Sequence, residues 1–129
     1  MEKTVYIGGR PVKFRATAAI PRLYRIKFRK DIMQDMAALS AAYDRVTKDA
    51  AGKTDEEKSA MQFSVTDLTL FENTAYIMAK HADPDGVPAT IEEWLDGFET
   101  FDIYQVLPEL LELWSMNTES LSNPKKNRP

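Results

Sequence analysis

Few side chains in this sequence can do chemistry of their own. Cys is absent and His81 is the single histidine. Disulfide frameworks, thiolate nucleophiles, zinc-thiolate centres and multi-histidine metal sites are therefore all excluded. His81 could act as a general base only beside an oriented partner. It lies at the end of a helical pattern, which predicts a plainer role against the C-terminal carbonyls of that helix. Glu92 and Asp96 stand at i and i+4 and would share a helix face, where they could hold a divalent cation or form a carboxylate pair. Acids in a first helical turn are favoured by the helix dipole without any metal. Gly8-Gly9 is no phosphate loop, because Gly-Lys-Ser/Thr is missing and the pair separates two β-rich runs rather than preceding a helix. The expectation is a non-enzymatic chain with no catalytic residue, cofactor or metal.

Charge and apolar surface remain. The net charge of -3 over 129 residues is unevenly spread. Residues 1–30 carry nine basic groups and one acid, for +8, while the rest carry eight basic and 19 acidic groups, for -11. Between Ile91 and Glu119 there are eight acids and no Lys or Arg. Such a split provides either two surfaces that attract each other or surfaces that attract a partner. The basic set from Arg10 to Lys30, interleaved with Tyr24 and Phe28, is the best nucleic-acid signal, and makes a small nucleic-acid-binding regulator the alternative function. A sequence pI near 5.2 argues against that partner. Trp94, Phe98, Phe101, Tyr104 and Trp114 form a dense aromatic group. Core packing accounts for most of it, and aromatics ringed by acids also suit an interface core with a charged rim.

The elements that must position these residues follow from periodicity and caps. At 129 residues with 43% hydrophobic and 29% charged residues, a single globular domain is expected. No apolar run approaches the roughly 18 residues of a spanning helix, and the start lacks a signal-peptide core, so a cytoplasmic, non-membrane protein is expected. Thr4 to Arg15 contains two β-rich runs about Gly8-Gly9, a hairpin whose second strand alternates Val12 and Phe14 with Lys13 and Arg15. Thr17 and Pro21 then open a long amphipathic helix reaching about Asp49, with Leu23, Phe28, Ile32, Met36, Leu39, Tyr43 and Val46 on one face. Met33 and Met36 add adaptable apolar surface, and Ala50-Ala51-Gly52-Lys53 stops the helix.

The Thr54-x-x-Glu57 capping box predicts a second helix to His81 whose stripe is Met61, Val65, Leu68, Phe71, Ala75, Met78 and Ala82. Ser64 with Asp67 allows a break near Phe63. Asp83 to Pro88 is a turn-rich loop. Thr90-x-x-Glu93 opens a short helix that Gly97 ends. Asp102 caps the last helix, in which Ile103, Val106, Leu107, Leu110, Leu111, Leu113 and Trp114 form the buried stripe and Pro108 calls for a kink or a tightened turn. The fold class is mainly α (α+β), an N-terminal hairpin followed by about four helices. Residues 1–117 make the domain, and residues 118–129 a flexible polar tail.

Three strings carry a family likeness: "IGGRPVKFRATAAIPRLYRIKFRKD", "FENTAYIMAKHADP" and "TIEEWLDGFETFDIYQVLPELLELW". Over residues 4–117 the chain resembles the tail assembly chaperones of long-tailed bacteriophages and prophages of Gram-positive bacteria. The motifs are most specific at Glu93-Trp94-Leu95 to Phe101 and at Val106-Leu107-Pro108 to Trp114. The resemblance implies a protein without catalysis that binds the long helical tape-measure protein in the host cytoplasm, keeps it soluble, yields to the major tail protein and is absent from the virion. A small protein that covers an exposed amphipathic stripe suppresses its aggregation.

Two regions are candidate partner surfaces. One is aromatic and acidic (Trp94, Phe98, Phe101, Tyr104, Trp114), and the other is basic (Arg10, Lys13, Arg15, Arg22, Arg25). Their opposite charges would also let copies associate as a homo-oligomer, head to tail. Members of the group are often made in two lengths by ribosomal frameshifting, and Lys125-Lys126-Asn127 permits a slippery codon run. An AAG codon at either lysine would remove that site.

Overall fold

The computed structural model describes residues 1–47 and 62–122, the last four by backbone alone. Within them an antiparallel hairpin, β1 (Glu2–Ile7) and β2 (Arg10–Arg15), precedes five helices. Gly8 and Gly9 take φ of 61° and 82°, the left-handed pair a two-residue turn requires and glycine supplies without a Cβ clash. Val5, Ile7, Val12 and Phe14 face inward and are buried. The hairpin thus lays one apolar face on the helices, as two strands alone must.

The single long helix expected from Pro21 to Asp49 is two helices, α1 (Ile20–Phe28) and α2 (Ile32–Val46). Arg29 adopts φ 57° and ends α1, and the Asp31 side chain accepts from Met33 N and starts α2. Tertiary packing rewards the break. The Tyr24 hydroxyl donates to Asp35 Oδ2 at 2.6 Å across the elbow. In one straight helix those residues would lie about 16 Å apart along the axis. Asp35 also receives Lys30 Nζ at 3.2 Å. Pro21 sits in the first turn of α1 as expected, but Ala19 rather than Thr17 is the cap residue.

The next helix, α3 (Val65–Ala82), begins at the Ser64/Asp67 capping box. The expected start at Thr54, the stripe member Met61 and the stop at 50–53 lie outside the described residues. α3 is the centre of the domain, with β2, α1, α2 and two further helices packed round it. Residues 74–79 are buried consecutively, so the helix is enclosed on every side there. Three members of the expected stripe fall outside the core: Val65 at 81% exposure and Leu68 at 39% in the first turns of α3, and half-buried Ala82 at its end.

Thr90 caps α4 (Ile91–Asp96), accepting from Glu93 N, and Gly97 follows it. Asp102 Oδ1 accepts from Tyr104 N at the head of α5 (Ile103–Ser122). α5 continues through Pro108. Proline there removes the donor that would serve the carbonyl of Tyr104, a residue 53% exposed and open to water. The helix also runs five residues past the expected domain edge at 117, to Ser122, with Asn117 buried and Thr118 Oγ1 donating to Trp114 O at 3.0 Å. The fold is mainly helical, with the hairpin at its N-terminal edge.

Candidate interaction surfaces

The basic and acidic segments meet within the molecule. The Arg10 guanidinium lies 4.7 Å from the centroid of the Phe98 ring and donates to Gly97 O at 3.1 Å. Lys3 Nζ reaches Glu109 at 2.8 Å and Glu112 at 2.9 Å. Hydrogen bonds to these two carboxylates hold the Lys3 ammonium above its ordinary pKa. Gln105 Nε2 donates to Tyr6 O at 2.8 Å. Part of the sequence dipole is therefore spent in docking β1 and the hairpin turn on α4 and α5.

Most of the aromatic set is consumed by packing. Trp94 is only 2% exposed and so cannot anchor a partner from the surface, contrary to expectation. Its ring meets Tyr76, Phe98 and Phe101 edge-on at centroid distances of 5.7, 5.3 and 5.1 Å. Phe101 also stacks on Phe71 at 5.2 Å. Phe98 and Phe101 are half-buried against the core. Tyr104 remains exposed, its ring edge-on to Phe63. Trp114 is half-buried and lines a groove.

The basic candidates separate by position. Lys13 and Arg15 stand on the outer face of β2, and Arg22, Arg25 and Lys27 are exposed on α1, with Arg29 exposed just past its end. None of Lys13, Arg15, Arg22 and Arg25 has a carboxylate partner among the described residues.

Two concavities organise these groups. The first, of about 400 Å³, lies between β2 residues 10–13 and the turn after α3, with Trp94 at its floor. Its far wall is Ala82, Asp83, Gly86 and Val87. Lys80 Nζ braces that turn by donating to Pro84 O and Val87 O, each at 2.7 Å. The second, of about 280 Å³, runs between Met33, Met36, Ala37 and Ser40 of α2 and Leu111, Trp114, Ser115 and Thr118 of α5. The sequence singled out Met36 and Trp114 by periodicity and Met33 by residue type but gave no reason to pair α2 with α5. The wall formed by the turn was missed because Asp83 to Pro88 reads only as a connection.

His81 does not bond to its helix carbonyls. Its Nε2 pairs with Thr17 Oγ1 at 2.8 Å, tying the end of α3 to the segment after β2. Burial, then the positive charges of Arg15 and the N-terminus, press its pKa below the ordinary value of 6.5. The unfolded chain therefore binds the proton more readily than the folded one. The His81 contribution to stability is expected to be complete above about pH 6.5 and to fall as pH drops below it. His81→Gln should flatten that acid limb in urea titrations between pH 7 and 5. An unchanged slope would show that other groups control it.

No three His, Asp or Glu side chains among the described residues converge to hold a metal ion, Glu92 and Asp96 included. No helix among them is long and apolar enough to cross a membrane. No protein-family model matches the chain, and no curated protein or solved structure is significantly similar to it.

Proposed function

We propose that the chain is a non-catalytic tail assembly chaperone of a long-tailed bacteriophage, which covers the tape-measure protein and keeps it soluble until tube protein displaces it. The groove between α2 and α5 is the observation that carries this reading. Its walls are side chains at 33, 36, 37 and 40 and at 111, 114, 115 and 118, the same helical spacing on both sides. Two such ridges make a trough suited to a third helix. Met33 is 51% exposed there, and methionine adapts its shape to a sliding or repetitive apolar stripe. Small Ala37, Ser40 and Ser115 let a helix backbone approach. The resemblance of the three strings quoted above supplies the identity of the occupant.

Co-expression with the neighbouring very long, helical reading frame tests the proposal. That protein should be recovered soluble with this chain and aggregated without it. Met33→Glu, an exposed change expected to alter stability by no more than about 0.5 kcal/mol, should abolish the protection. Equal solubility of the long protein with and without this chain would end the chaperone reading.

A further inference from the structure

From the cleft beside β2 we infer a second docking site, one that takes an extended acidic segment of a partner protein as a third strand of the sheet. The backbone register establishes which edge is open. Met1 and Ala16 exchange both backbone bonds, at 3.0 and 2.9 Å. Bonded and non-bonded pairs alternate along an antiparallel ladder, so Thr4↔Lys13 and Glu2↔Arg15 are non-bonded pairs whose N–H and C=O groups point outward.

The two outer edges differ. That of β1 faces α5, where Gln105 occupies the Tyr6 carbonyl. On β2 the outward N–H and C=O of Lys13 and Arg15 find no protein partner among the described residues. The cleft is lined by four consecutive β2 residues and by none of β1, so it views the strand edge-on and on the side away from β1.

Charge selects the occupant. Lys13 lines the cleft and Arg15 follows on the same edge, neither with a carboxylate partner among the described residues. Arg10, which also lines it, is held by Phe98 and Gly97 O, and Lys80 bonds carbonyls within the opposite turn. The opposing acid is Asp83, which is engaged by Gly86 N at 3.0 Å. Pro11 and the outward cations blunt pairing with a second, equally basic β2 edge, and they leave the edge open to a strand bearing carboxylates. Strand addition satisfies the orphan backbone groups, and alternate acidic side chains meet Lys13 and Arg15.

The test uses the full chain carrying Trp114→Phe, which leaves Trp94 at the cleft floor as the single tryptophan. The probe is a synthetic ten-residue peptide alternating Glu and Val, with a Lys/Val peptide as control. Saturable change in Trp94 emission is expected with the acidic peptide alone, weakening with salt, together with hydrogen-exchange protection of the Lys13 and Arg15 amides. Lys13→Gln removes the charge and keeps the amide, whereas Lys13→Pro removes both at an exposed edge position that donates nothing to the hairpin. The proline variant should bind a further threefold to tenfold more weakly, about the worth of one hydrogen bond. Circular dichroism confirms that each variant is folded. The inference is overturned if the acidic peptide does not bind, if the two variants bind alike with unprotected amides, or if a second copy of the chain occupies the edge, seen as self-association that the peptide cannot displace. The peptide readout is independent of the tape-measure test, so either proposal can fail alone.

Discussion

Trp94→Ala is expected to destabilise the fold by about 3–5 kcal/mol, the range for removing a large aromatic side chain from a packed core. The indole is the hub of an aromatic cluster in which Tyr76, Phe98 and Phe101 all present edges or faces to it. It also closes the floor of the cleft beside β2. Truncation would leave a void between α3 and α4 and weaken the seat of Phe98, on which the Arg10 guanidinium rests. For a domain of this size the melting temperature should fall by roughly 10–20 °C. Trp94→Phe should recover much of the loss, since it keeps an aromatic edge for its neighbours. Thermal and urea unfolding of the two variants measure this directly. A Trp94→Ala protein that melts with the parent would contradict its place in the core and restore a surface role.

The Tyr24–Asp35 bond carries the second large effect. Tyr24 is fully buried and Asp35 nearly so, and the carboxylate also draws in Lys30 across the α1–α2 elbow. Tyr24→Phe deletes a hydrogen bond to a charged acceptor and is expected to cost about 1.5–3 kcal/mol. A double-mutant cycle with Asp35→Asn should return a coupling energy of at least about 1 kcal/mol. Additive losses would mean that the contact contributes little.

The same pair sets an alkaline limit. Burial, then the bond and charge of Asp35, raises the Tyr24 phenol far above its ordinary pKa of 10.0. The folded chain therefore holds this proton after the unfolded chain has released it. The contribution of this proton to stability is complete below about pH 10 and is lost as pH rises beyond it. Lys3, whose pKa is also raised, contributes a loss in the same direction. Tyr24→Phe should remove the Tyr24 part of the alkaline slope and leave the parts of Lys3 and of Tyr76, whose phenol is also raised by burial and by the charges of Glu93 and Glu92.

Legibility in the sequence followed the range of the interaction. Gly8-Gly9, the Ser64–Asp67 and Thr90–Glu93 boxes and Gly97 are signals that act within four residues, and each marks the element boundary seen in the structure. Helical periodicity likewise anticipated the buried face of α5, including Ile103, Val106, Leu107, Leu110 and Leu113. The elbow at Arg29 was hidden. Nothing local recommends a left-handed arginine, a conformation that costs about 1–2 kcal/mol, and only the packing of α1 back on α2 repays it.

The candidate surfaces divided in the same way. Residue types were enough to read a chain poor in catalytic groups, strongly polarised from +8 to -11, and built as a hairpin followed by helices. Which charges remain free was decided in three dimensions. Arg10 meets Phe98 and Gly97 across 87 residues of chain, and Lys3 meets Glu109 and Glu112 over still greater separations. Trp94 is core and Trp114 borders a groove, though both are tryptophans in an acidic helical segment. Composition and spacing report what a residue can do with its near neighbours. Burial and pairing depend on which distant surface the fold brings against it, and that follows from the joint packing of β2, α1, α2, α4 and α5 around α3.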